Sequence, residues 1–193
     1  NRFGGRFKYS KVLNVIDNID KSITSNITRV KIRRNLNALI NQFAQYELCF
    51  GNRFNVKPEG LNIKSTGFRI QGQSDTVFIT DTPNADKLTG VISIVKRDET
   101  TGTNIVVVKS AGTVDYVHGE VNLTTINIVS TDKPNNIVEV QAFPESNDVI
   151  GLQDLYLEFN IPNSTINMVK DTITSGEQIS GVGYKVTSSY ANG

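Results

Sequence analysis

Residues 114–123 read Val114-Asp115-Tyr116-Val117-His118-Gly119-Glu120-Val121-Asn122-Leu123. Two runs, 114–117 and 120–123, flank His118-Gly119. This spacing predicts a tight β-hairpin, because glycine accepts the positive φ that a short link between twisted strands requires. The same grammar repeats outward from this point. Upstream, residues 68–70 and 77–79 are short apolar runs, and residues 90–95 and 105–108 flank the polar Asp98-Glu99-Thr100-Thr101-Gly102. Downstream, residues 126–129 and 137–140 flank Asp132-Lys133-Pro134-Asn135-Asn136. Tyr46-Glu47-Leu48-Cys49-Phe50 reads as a further strand closed by a turn at Gly51-Asn52. Regular short strands with frequent turns predict antiparallel, sandwich-like sheets.

The two ends depart from this pattern. After the turn-like Arg2-Phe3-Gly4-Gly5-Arg6-Phe7, the residues Val12, Val15, Ile16, Ile19 and Ile23 recur at helical spacing and form one apolar stripe. Ser10 is placed to cap the start of this helix. Asp17 and Lys21, four apart, are placed to pair on its outer face. The helix is short and β-branched, so packing must hold it. From Ile27 the period changes to two: Thr28, Val30, Ile32 and Leu36 fall on one side of a strand, and Arg29, Lys31 and Arg33 on the other. Those cations lie about 6.5 Å apart along the chain. Such a row can grip phosphates, pair with acids on a neighbouring strand or guard an edge. No aromatic residue is interleaved for base stacking, so nucleic acid is the weaker reading. At the other end, Leu155, Leu157 and Phe159 alternate with Tyr156 and Glu158 in an apolar segment at 152–161. Beyond Pro162, Asn, Ser, Thr and Gly predominate and predict an extended C-terminal tail. The fold class is α+β, predominantly β, with a short N-terminal amphipathic helix. Three regions follow: a basic helix–strand segment (1–57), a β-rich domain (58–161) and an extended arm (162–193).

The 193 residues, 38% of them apolar, suffice for a core. Net charge is +1, so whole-molecule electrostatics does not point to nucleic acid or an anionic membrane. The distribution is uneven: residues 1–57 hold eleven Lys/Arg against three Asp/Glu, and residues 58–193 hold nine against sixteen. This asymmetry suggests an interaction surface, or attraction between halves within the fold or between copies. No apolar run approaches the ~20 residues of a membrane-spanning helix, and no signal peptide is visible. The chain begins at Asn1 rather than Met and so reads as a fragment or processed product. A lone Cys49 cannot form an internal disulfide, which fits a reducing compartment or an intracellularly assembled particle. The acceptor-like triplets at Asn26, Asn122 and Asn163 read as chance in a sequence rich in Asn, Ser and Thr.

Groups for chemistry are sparse. His118 sits at the hairpin tip, where a solvated turn residue is expected, and a triad needs more than it offers. Cys49, between Leu48 and Phe50, reads as an inert core thiol. One His and one Cys leave no zinc site of the usual ligand types. Asp98, Glu99, Asp115, Glu120, Asp154 and Glu158 are the candidate carboxylates for a two-acid mechanism, but none has surroundings that predict a raised pKa. Phosphate loop, dinucleotide fingerprint, calcium loop and nucleophile elbow are all lacking. No catalytic, metal or cofactor site is expected.

Two stretches carry a family resemblance. Val12-Leu13-Asn14-Val15-Ile16-Asp17-Asn18-Ile19-Asp20-Lys21-Ser22-Ile23-Thr24-Ser25-Asn26-Ile27-Thr28-Arg29-Val30-Lys31-Ile32-Arg33-Arg34 resembles the helix-to-strand segment of baseplate wedge proteins from T4-like contractile-tailed phages. These proteins are related to the broader J-like baseplate family, and the segment lies in their carboxy-terminal half. Gly112-Thr113 followed by the hairpin quoted above is similar to a hairpin of the same proteins. The resemblance implies a subunit of a virion's tail baseplate, assembled in the host cytoplasm. It implies self-association as a homodimer, binding to other wedge proteins and closure into a ring around the hub. It also implies relay of receptor-triggered rearrangement toward sheath contraction. No cofactor, membrane or nucleic-acid partner goes with it. A closed ring of one subunit needs two kinds of contact. The helix stripe (Val12, Ile16, Ile19, Ile23) and the basic strand face (Arg29, Lys31, Arg33) are the candidate contact surfaces.

Two other classes compete. A carbohydrate- or receptor-binding β-sandwich of a fibre or adhesin would expose clustered aromatics for sugar stacking. This chain has no Trp, and its Tyr and Phe are scattered. A nucleic-acid module using the basic half would bind with steep salt dependence.

Overall fold

The computed structural model describes residues 6–21, 23 and 26–151. Strand β1 (Arg6–Phe7) leads into helix α1 (Tyr9–Ile19), followed by β2 (Ile32–Asn37) and β3 (Phe43–Cys49). Then come β4 (Ile63–Ser65), β5 (Phe68–Ile70), β6 (Val77–Pro83) and β7 (Thr89–Arg97). The last described strands are β8 (Asn104–Asp115), β9 (Glu120–Thr131), β10 (Ile137–Ala142) and β11 (Val149–Ile150). The protein is mostly β with one helix near its N-terminus, and every strand pairing among the described residues is antiparallel. The apolar segment at 152–161 and the tail at 162–193 lie outside the described residues.

Three sheets form. One has the order β2-β10-β4, a second β3-β9-β5-β6-β7-β8, and β1 pairs with β11. Long β9 also pairs with β8 through residues 120–123, while β5 takes residues 128–131. The pairings β9-β5-β6-β7-β8-β9 therefore run in a circuit with β3 added on β9, and among the described residues β2, β3 and β4 are terminal strands. One core serves both large sheets. Leu36, Ile63, Val138 and Val140 from the first meet Phe68, Ile79, Ile92, Val121 and Ile128 from the second. Phe50 and Phe54 close one end edge-to-face, ring centres 5.1 Å apart.

The decisive hairpin is present, but its turn is longer than predicted. Asp115 pairs with Glu120, so the connection is the four residues 116–119. Gly119 supplies the positive φ (71°) and lies against the Asn52 carbonyl, where a Cβ would collide. The flanking runs also join into longer strands than the apolar segments suggested. Residues 105–108 and 114–115 belong to one strand, because Lys109, Ser110 and Ala111 bulge opposite Ser93 alone. The Ser93 hydroxyl donates to the Lys109 carbonyl at 2.7 Å and holds the bulge.

A buried carboxylate links three elements. Asp81, on β6, is 2% exposed. Its Oδ1 accepts the Ile63 N–H at 2.7 Å. Its Oδ2 accepts the Tyr116 hydroxyl at 2.6 Å and the Asn62 amide at 2.8 Å. Burial, and then the Asp81 carboxylate, push the Tyr116 hydroxyl far above its ordinary range, so it stays a donor. Gly90 makes room for that hydroxyl, since a Cβ there would meet it. The hairpin turn is thereby bound to both sheets.

The N-terminal elements differ from expectation in three ways. Helix α1 is capped at Lys8 without a side-chain bond, and Ser10 lies inside the helix rather than at its start. The helix ends at Ile19, so Lys21 lies beyond it and no Asp17–Lys21 ion pair forms; Ile23 also falls past its end. β-Branched residues and the lack of a capping bond shorten it. Strand pairing starts at Ile32, not Ile27, because β10 offers partners only from Ala142 back to Ile137. Residues 27–31 precede the strand, although their exposure still alternates.

Candidate protein-interaction surfaces

Helix α1 is held at one end. The Tyr9 N–H donates to Asp148 Oδ1 at 2.8 Å, and the Tyr9 hydroxyl donates to the Thr28 carbonyl at 2.6 Å. The rest of the helix is held only loosely. No residue of α1 is buried: Val12 and Ile16 are half-buried, while Val15 is 60% and Ile19 70% exposed. An amphipathic helix of this length is marginal in water without packing on its apolar face. The stripe Val12, Ile16 and Ile19 thus stays on one face, partly uncovered, and Ile23 follows, half-buried, in the connection.

The structure does not bring Arg29, Lys31 and Arg33 together as one free cationic row. Arg33 Nη1 meets Glu139 Oε1 on the adjacent β10 at 2.9 Å. The Lys31 ammonium lies 5.4 Å from the centre of the Phe143 ring, a cation–π contact. Arg29 is exposed beside an open cavity of about 400 Å³ that Lys57, Phe143 and Glu145 also line. Of the three readings of the row, cross-strand pairing describes Arg33.

The sequence pattern passed over a fourth cation. Arg34 sits in phase with Ile32 and Leu36, on the face that carries the apolar side chains, and is half-buried there. Its Nε–H donates to the Cys49 carbonyl at 2.7 Å, joining the terminal strands β2 and β3. Beside it is an open cleft of about 450 Å³ lined by Arg33, Arg34, Asn35, Glu47, Leu48 and Cys49. A charged residue in the apolar phase of a strand is the signal that marks this position.

The other groups singled out for chemistry are dispersed. His118 is exposed at the hairpin tip, its Nδ1 2.8 Å from Asp115 Oδ2. That contact raises the His118 pKa. The Asp115 carboxyl is lowered by N–H donation from His118, by the imidazole itself and by the Val117 N–H. Asp98 accepts the Thr101 and Thr100 N–H groups in its loop, which hold its carboxyl low. Cys49 is half-buried and free. Asp154 and Glu158 lie outside the described residues. Among the described residues, no three His, Cys, Asp or Glu side chains are placed to hold a metal ion. No helix among them is long and apolar enough to cross a membrane.

A partly uncovered helix stripe and, among the described residues, sheet edges such as β2 and β3 with no strand on their outer side are features of a protein that docks to other proteins. Comparison with known families agrees in kind. Residues 1–35, the span of β1, α1 and the first part of β2, match the family described as baseplate structural protein gp6, C-terminal domain III. The likeness supports a structural role in a phage baseplate, as a tail component of the virion that contacts other baseplate components. No curated protein and no solved structure matches the chain.

Proposed function

We propose that this chain is a structural module of a baseplate wedge that acts by binding protein and carries out no catalysis. It associates with copies of itself and with other wedge subunits, contributes to a ring around the hub, and passes baseplate rearrangement on toward sheath contraction. The observation that carries this reading is a coincidence of place. The segment similar to the baseplate family is the one whose helix buries none of its side chains. A β-branched amphipathic helix left uncovered is completed by a partner.

Co-sedimentation of the chain with other baseplate wedge subunits tests the reading. Complex formation is expected. Substituting Arg29→Glu, Lys31→Glu and Arg33→Glu together should weaken it, because the exposed side of the segment then changes sign. A chain that stays monomeric at all concentrations and binds no wedge subunit would remove the proposal. Unchanged assembly by the triple variant would remove the basic face from it.

A further inference from the structure

We infer that the cleft between β2 and β3 receives an extended strand from a partner, and that Arg34 anchors it through a single carboxylate. The inference rests on the protein-binding reading above and adds a site and the chemistry of its occupant.

Three observations converge on the cleft. First, β2 ends the sheet β2-β10-β4 and β3 ends the second large sheet, and among the described residues neither has a strand paired on its outer side. Unpaired backbone N–H and C=O groups on such edges accept an added strand. The β2 ladder to β10 is regular over six residues without a bulge, so its edge keeps a straight register. Second, Arg34 is fixed but unsaturated. Its Nε–H is taken by the Cys49 carbonyl, and it has no other hydrogen bond or ion pair among the described residues. The terminal amino groups of a half-buried, oriented guanidinium form a fork that matches a carboxylate. Third, the charges around it set the valence of the ligand. Arg33 is already engaged by Glu139, and Glu47 lines the same cleft. One carboxylate beside Arg34 is accommodated, whereas a polyanion such as nucleic acid or a run of acids would face Glu47. The occupant is therefore an extended, largely neutral strand with one Asp or Glu directed at Arg34.

The probe is the peptide acetyl-Thr-Val-Glu-Val-Thr-amide, compared with its Gln counterpart, titrated into the whole chain while backbone amide NMR signals are followed. The Glu peptide should shift amides of β2 and β3 and bind about tenfold more tightly than the Gln peptide, as expected for a charge-assisted bidentate pair over a neutral one. Arg34→Gln should abolish that difference. Arg34→Lys keeps the charge and loses the fork, so it should also reduce the preference, and it serves if the Gln variant does not fold. Equal binding of the two peptides, no binding of either, shifts elsewhere on the protein, or an unaltered preference in a folded Arg34 variant would each overturn the assignment. Wedge-subunit binding, measured in parallel, separates the two proposals. If it persists in the Arg34 variants while the peptide preference was never present, only the cleft assignment fails.

Discussion

Helix α1 and the β6–β7–β8 region solve opposite problems with similar residue types. In α1, Val12, Val15, Ile16 and Ile19 form a stripe at helical period, yet none is buried. In β6 and β7, Val77, Ile79, Ile92 and Ile94 are almost wholly removed from water. Their strands have partners on both sides, and the buried Asp81 is saturated by three donors from other elements. Hydrophobicity alone therefore does not decide burial. A strand whose backbone is paired on both edges is carried into the core with its side chains. A helix satisfies its own backbone and needs only one face covered, so another molecule can cover it.

The comparison is broken most forcefully at Asp81. Asp81→Ala leaves the Tyr116 hydroxyl, the Asn62 amide and the Ile63 N–H buried without their acceptor, and should cost about 3–5 kcal/mol in urea unfolding. Loss below about 1 kcal/mol would mean that the three donors find other partners. The helix should respond in the opposite sense. Val15→Ser with Ile19→Ser should change the stability of the chain by less than about 1 kcal/mol, while binding to wedge subunits falls. A loss as large as that of Asp81→Ala would place the stripe in the chain's own core and remove the contrast.

The smallest effect is expected at the hairpin tip. His118 has a folded pKa raised above its ordinary 6.5, so its contribution is complete below that value and fades as pH rises through the raised one. Asp115 is lowered from 3.8, so its contribution is present above that value and is lost as pH falls through the lowered one. The pair therefore contributes between the two ordinary values, and His118→Gln should flatten a shallow pH dependence there. An identical pH profile in the variant would show that the contact is too well solvated to matter.

The elements on both sides of this contrast are legible in the sequence, while their burial is not. Short runs at 120–123 and 137–140, bounded by turn residues, located β9 and β10. The run at 105–108 was cut short at Lys109 and Ser110, since a bulge admits polar residues without ending the strand. Arg29, Lys31 and Arg33 were grouped by spacing, but spacing carries no information about Glu139 or Phe143, which arrive from more than a hundred residues away. The sequence pattern does not single out Arg34 or Asp81, for a shared reason. Each is a charged residue at a position in phase with apolar ones, and only a distant carbonyl or donor makes that place tenable.

What the sequence determined by itself is the local grammar: strands where side chains alternate, turns where glycine and asparagine permit them, one helix where the period is near 3.6, and few groups for catalysis. The tertiary structure decided which faces are spent on the core and which remain. β10 placed Glu139 beside Arg33, and donors from the start of β4 and from the hairpin turn enclosed Asp81. The hairpin turn was legible at His118-Gly119, although Tyr116, which reads as strand, falls inside it. Its tie to both sheets was not, because hydrogen bonds between elements depend on how the sheets stack rather than on any period along the chain.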